Sequence, residues 1–156
     1  RIIDYEIEAE NTMLPLYIRE ASRVASTEWI FREPQAQPPA FLYQPEPSPN
    51  WCYYFEKADL ARQFGDWETV VEIGKTALAL EDNANDPAER LPFIEGYAHT
   101  GDWQRALTLT QDSLNVTGAM QPVLCALWQR IDTETASSPE KDAALMQLQD
   151  LLNCQR

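Results

Sequence analysis

The chain reads as all-α: an α-solenoid of three antiparallel helical hairpins, preceded by an N-terminal helix and a proline-rich extended strap. Three observations lead there. Phe64-Gly65-Asp66-Trp67 returns as Thr100-Gly101-Asp102-Trp103, a step of 36 residues. At the same step Phe55 matches Leu91, Arg62 matches Ala98, Val70 matches Ala106, Val71 matches Leu107 and Leu78 matches Leu114. Between these turns the apolar residues recur at spacings of three and four, the period of a half-buried helix.

The first 50 residues form an arm. Met13, Leu14, Leu16, Tyr17, Ile18, Ala21, Val24 and Ala25 give a helical stripe that Pro15 either breaks or starts, so a helix is expected from about Leu16 to Phe31. Ile2, Ile3, Tyr5 and Ile7 suit a short extended piece. From Glu33 to Asn50 stand Pro34, Pro38, Pro39, Pro45, Pro47 and Pro49, a density that forbids helix. This segment reads as a stiff strap that packs down through Phe41, Leu42 and Tyr43; a ligand for a proline-binding module is the other reading.

Residues 51–156 form the repeat domain, in units of about 51–86, 87–121 and 122–156. In the first, Trp51, Tyr54, Phe55, Ala58 and Ala61 share one helix face. Gly65 ends that helix, since a left-handed closing residue is least strained as glycine, and Asp66 caps the next. Gly74 sits inside the second helix at a cost of about 1 kcal/mol against alanine, which a close helix crossing would explain. Glu81 to Asp86 is a polar loop that departs from a calcium-binding loop at the glycine and final glutamate positions. Asp86-Pro87 opens the second unit, and Gly101-Asp102 repeats the stop and cap. In the third, Ser138 caps and Pro139 takes the first helical position of a helix running to about Asn153.

Composition narrows the function. The 156 residues carry 25 acidic against 12 basic side chains, a formal charge of -13, which repels phosphate backbones and anionic lipids. No run of 18 apolar residues is present, so no bilayer-crossing helix is expected within this chain. The chain opens at Arg1 rather than Met, which suits a processed chain or a piece of a larger protein. Cys52, Cys125 and Cys154 are too few for a disulfide framework, and Cys52 and Cys125 read as small core residues within helices. Redox evidence therefore leaves the compartment open. No CxxC pair or ligand-spaced His/Cys cluster suggests a metal, and no cofactor motif is apparent.

Small residues inside paired helices, Gly-Asp-aromatic at the turn and a period in the mid-thirties make residues 51–153 resemble the tetratricopeptide repeat (TPR), whose usual unit is 34 residues. The chain departs from that pattern at Gly74 and Thr110, where the family prefers an aromatic. The resemblance implies a concave groove lined by the first helix of each unit. Carried over by register, the peptide-binding positions are Phe55, Glu56, Asp59, Arg62 and Gln63, then Leu91, Glu95, Ala98 and His99. Arg62 would hold a peptide carboxylate, or pair locally with Asp59 or Asp66 for under about 1 kcal/mol. The arm is a second candidate occupant of the groove.

The stretch from Trp51 to Gln63, with Gly65-Asp66-Trp67 and Leu91-Pro92-Phe93-Ile94-Glu95-Gly96-Tyr97-Ala98, also resembles the C-terminal soluble region of some bacterial polytopic membrane proteins of glycosyltransferase-like type. That resemblance implies a structural or regulatory part of a parent whose chemistry lies elsewhere.

The chain itself does not read as an enzyme. Its single histidine, His99, ends a helix, where the dipole favours an imidazolium. No G-x-S-x-G elbow or glycine-rich phosphate loop occurs, and pairs such as Glu56/Asp59 and Glu68/Glu72 lie at ordinary helical spacing. Asn115-Val116-Thr117 matches a glycosylation acceptor, relevant in a eukaryotic secretory chain. The expected function is a non-catalytic interaction or scaffolding domain with a protein or peptide partner. The alternative is the soluble domain of a bacterial integral membrane protein, on the extracytoplasmic side in one reading.

Overall fold

A computed structural model describes residues 8–32, 39, 41–42, 48–80, 84 and 86–154. The expected extended piece at 2–7, Pro34, Pro38, Pro45 and Pro47 of the strap, and Glu81, Asp82, Asn83 and Asn85 of the polar loop lie outside them.

Seven α-helices and no strand occur among the described residues: α1 (Leu16–Ser22), α2 (Trp51–Gln63), α3 (Trp67–Ala77), α4 (Leu91–His99), α5 (Trp103–Val116), α6 (Gln121–Glu134) and α7 (Pro139–Leu152). Short 3-10 turns at Pro87–Arg90 and Gly118–Met120 lead into α4 and α6. Helix α2 packs on α3, α4 on α5 and α6 on α7, while α2 contacts α4 and α4 contacts α6.

The two Gly-Asp turns share one hydrogen-bond scheme. Gly65 (φ 64°) donates its N–H to the Arg62 carbonyl and Asp66 donates to Ala61. Gly101 (φ 84°) donates to Ala98 and Asp102 to Tyr97. Each turn thus satisfies the last carbonyls of one helix in the 6→1 and 5→2 pattern of a left-handed closing glycine. The aspartate carboxylates then accept from Thr69 N–H and Arg105 N–H, capping α3 and α5.

The third turn solves the same problem with a side chain. Ser138 caps α7 by accepting from Lys141 N–H. The buried Lys141 ammonium turns back to the end of α6, donating to the Asp132 carbonyl at 2.6 Å and the Thr135 carbonyl at 3.0 Å, and pairs with the Asp132 carboxylate at 2.8 Å. A cation at a helix C-terminus meets both the orphan carbonyls and the dipole.

Two glycines permit the α3–α4 crossing. A Cβ at Gly74 would lie 3.0 Å from Phe93 Cδ1, so the expected close crossing is present. Gly96, on the facing helix, is tighter still against Val70. The core continues through Trp51, Phe55, Phe93, Ile94, Leu124, Trp128 and Ile131. Trp128 donates its indole N–H to Thr110 Oγ1 at 2.9 Å, which explains why a threonine stands where the TPR pattern has an aromatic.

Four expectations need correction. Phe41 and Leu42 are exposed, so the strap does not pack down through them, and Tyr43 lies outside the described residues. The N-terminal helix stops at Ser22, not Phe31. Much of its apolar stripe is uncovered among the described residues: Leu16, Tyr17, Val24, Trp29 and Phe31 are exposed, and a helix this short draws its stability from packing. Cys125 is not a free core thiol but is disulfide-bonded to Cys154, clipping the end of α7 to α6. Cys52 is exposed, on the outer side of α2.

Candidate functional site

The first helices bring a row of ionisable groups together. Helix α2 contributes Asp59 and Arg62, α4 contributes Glu95 and His99, and α6 contributes Arg130 and Glu134. Each pair is spaced three or four residues apart, so both members lie on one helix face. Asp59 and Glu95 stand 36 residues apart, the same step that separates the two Gly-Asp-Trp turns.

The row alternates in sign. Arg62 Nε donates to Asp59 Oδ1 at 2.9 Å, and Arg62 Nη1 stands 3.8 Å from Glu95 Oε2. Arg130 donates to the other glutamate oxygen, Oε1, from Nε at 3.0 Å and from Nη2 at 2.6 Å. His99 Nε2 lies 3.4 Å from Glu134 Oε2. The Trp67 indole stacks flat on the imidazole, with ring centroids 4.0 Å apart and planes 12° apart.

Burial sets the electrostatics. Glu95 is 2% exposed, and desolvation pushes its carboxyl above the usual range against the opposing pull of Arg130 and then Arg62. Burial also lowers the proton affinity of His99, outweighing Glu134, while Arg130 adds to the lowering. The imidazole is therefore biased toward its neutral form, opposite to the expectation from the helix dipole. The ladder spans three helices, so it ties their register together; removing one member would strand its partner's charge in the interior.

The structure sorts the sequence-derived binding positions into three groups. Phe55, Leu91 and Ala98 are core. Asp59, Arg62 and Glu95 are buried within the ladder, and the Arg62 guanidinium is engaged with Asp59 rather than presented to solvent. Glu56 is exposed, and Gln63 and His99 are half-buried. Arg130 and Glu134 were missed. The local clue was the four-residue spacing Glu95/His99 repeated by Arg130/Glu134 on the neighbouring first helix.

The arm touches the repeats at their turns. Thr12 Oγ1 donates to the Ala119 carbonyl at 3.0 Å, before α6, and Arg32 pairs with Asp66 at the α2–α3 turn. Glu10 borders a groove of about 690 Å³ between α6 and α7, which Trp128, Leu145, Leu148 and the disulfide also line. No helix among the described residues is long and apolar enough to cross a membrane. The chain matches no protein-family profile, no curated protein and no solved structure.

Proposed function

We propose that this chain is a non-catalytic protein-interaction module of three TPR-like hairpins. The observation that supports it is the repeated hairpin, closed twice by the same glycine turn, with first helices in contact from α2 to α4 to α6. Such an arrangement offers one continuous face to a partner. The accessible part of that face is Glu56, Gln63, His99, Gln129 and Glu134. With a formal chain charge of -13, the partner segment this face suits is basic.

Titrating the full chain against arrayed basic and acidic peptides, by fluorescence anisotropy, tests this reading. A basic peptide should bind, weaken as salt rises, and lose about tenfold in affinity on Glu56→Lys with Gln63→Ala. Glu56 is exposed and Gln63 half-buried, and a thermal melt of the variant checks that its fold is kept. Equal binding of all peptides, or no change in the variant, would refute this face.

The disulfide favours a second reading, in which the chain is a soluble structural or regulatory region of a bacterial integral membrane protein of glycosyltransferase-like type, on the oxidising side of the membrane. Cys125–Cys154 bonds persist in the periplasm or outside the cell and are rare in the cytosol. Thiol counting on protein taken directly from its native cells tests the compartment this reading requires. One reactive thiol per chain, at Cys52, supports the oxidising side; three refute the reading.

A further inference from the structure

We propose that Glu95, His99 and Glu134 form a binding site for a divalent transition metal, with zinc as the best fit. One donor atom from each residue lies within 4.8 Å of the other two. His99 Nε2 and Glu134 Oε2 are 3.4 Å apart. Zinc bonds nitrogen and oxygen at 2.0–2.2 Å, so neighbouring donors of a tetrahedral site sit roughly 3.3–3.6 Å apart. That pair already has the edge length of the coordination polyhedron, although two neutral or anionic groups gain little from such a separation without something between them.

A second observation points to the same spot. Glu95 Oε2 is buried and makes no hydrogen bond, with Arg62 Nη1 3.8 Å away, and the buried His99 Nε2 faces Glu134 Oε2 at 3.4 Å without good hydrogen-bond geometry. Buried polar atoms without partners are uncommon, because each forfeits its hydration. Here two belong to side chains of metal-ligating type one helical turn apart, Glu95 and His99, and both residues are members of the three-residue cluster.

The surroundings hold each donor in place. Arg130 hydrogen-bonds Glu95 Oε1 from two nitrogens, fixing the carboxylate, while Oε2 makes no hydrogen bond. Trp67 fixes the plane of the imidazole. Groups that orient a ligand in this way raise metal affinity. Glu134 is 43% exposed, so the ion would have a solvent-facing fourth position and a path of entry. An imidazole with two carboxylates suits zinc, whereas magnesium favours octahedral oxygen coordination. Arg62, 3.8 Å from Oε2, opposes the ion's charge, and its partner Asp59 offsets that in part. Two of the ligands, His99 and Glu134, also belong to the proposed peptide face, so zinc uptake is measured without peptide and its outcome is read separately from peptide binding.

The test is calorimetric titration of the full, chelator-dialysed chain with zinc, in a Cys52→Ser background that removes the exposed thiol as a competing ligand. The expected result is saturable uptake of one equivalent, with a zinc-dependent rise in the thermal midpoint. Glu134→Gln and His99→Gln should each weaken uptake about tenfold or more and abolish the thermal shift. Glu134→Gln alters a half-exposed side chain of nearly the same shape, so loss of fold does not confuse its result. Cobalt should give visible d–d absorption in the parent and not in the variants. Failure to saturate by about 1 mM zinc, uptake that both substitutions leave unchanged, or equal competition by magnesium would overturn the assignment.

Discussion

A Cβ on Gly96 would stand 2.5 Å from Val70 Cγ1, closer than real side-chain contacts. The α3–α4 crossing is therefore set by a residue without a side chain. Alanine at Gly96 would gain about 1 kcal/mol of helix propensity but force apart two buried backbones, and overpacking typically costs about 1–3 kcal/mol. Gly96→Ala should lower stability by up to about 2 kcal/mol in urea unfolding, more than Gly74→Ala, where Phe93 Cδ1 would be 3.0 Å away. Adding Val70→Ala to Gly96→Ala should cost less than the two changes summed. Additive losses would mean that these residues do not set the crossing.

Thr110 carries the next prediction. Its hydroxyl donates to the Ala106 carbonyl and accepts from the Trp128 indole, both at 2.9 Å. Thr110→Val keeps the shape but leaves the buried indole N–H unpaired, for a loss of about 1–3 kcal/mol. Thr110→Ser keeps the hydroxyl and should lose less. Chemical denaturation of the pair separates polar from packing effects, and equal losses would assign the effect to the methyl group.

What was legible in the sequence was what the chain settles locally. Gly65, Asp66, Gly101, Asp102 and Ser138 act within a few residues of themselves, and each does what its chemistry dictates. Gly74 could be read as a crossing because a mid-helix glycine is costly unless something requires it. Gly96, the tighter contact, passed unnoticed because its neighbour Val70 is 26 residues away. The ladder was hidden for the same reason: Glu95 and Arg130 meet only when α4 packs on α6. The disulfide needed the end of α7 brought back to α6. Helix α1 was overextended because a stripe of apolar residues does not show whether anything covers it.

The ladder should be intolerant of losing one charge and more tolerant of losing two. Arg130→Met strands the buried Glu95 carboxylate and should cost about 3–5 kcal/mol. Arg130→Met with Glu95→Gln removes the stranded charge and should recover a large part of that loss. A double-mutant cycle in guanidinium measures the coupling. A double variant no more stable than Arg130→Met alone would show that the arginine acts by packing, not by charge.

Reduction of Cys125–Cys154 releases the end of α7. The bond closes a loop of 29 residues, and cross-links of that span stabilise by about 2–4 kcal/mol through the unfolded chain's entropy. Cys125→Ser with Cys154→Ser should lose that amount. Hydrogen exchange should quicken first in α7, with α2 to α4 little changed. Uniform acceleration along all the helices would instead indicate that the clip supports the whole fold.

His99 predicts a pH dependence for the metal-free chain. Its folded-state proton affinity is lowered from 6.5, first by burial, with Arg130 adding to the lowering and Glu134 opposing it. Glu95 faces it from one turn earlier on the same helix, and Trp67 covers the ring from α3. A base depressed in the folded state binds fewer protons there than in the unfolded chain. Its contribution is therefore fully present above about pH 6.5 and is lost as pH falls through the lower folded value. In chelator-containing buffer the histidine lowers stability from pH 7 towards pH 5, while the raised Glu95 carboxyl, which binds protons more readily in the fold, works in the opposite sense. The imidazole's share is the difference: the parent should lose more stability than His99→Gln between those pH values. An unchanged slope between those pH values would mean that the imidazole titrates as freely in the fold as in the unfolded chain.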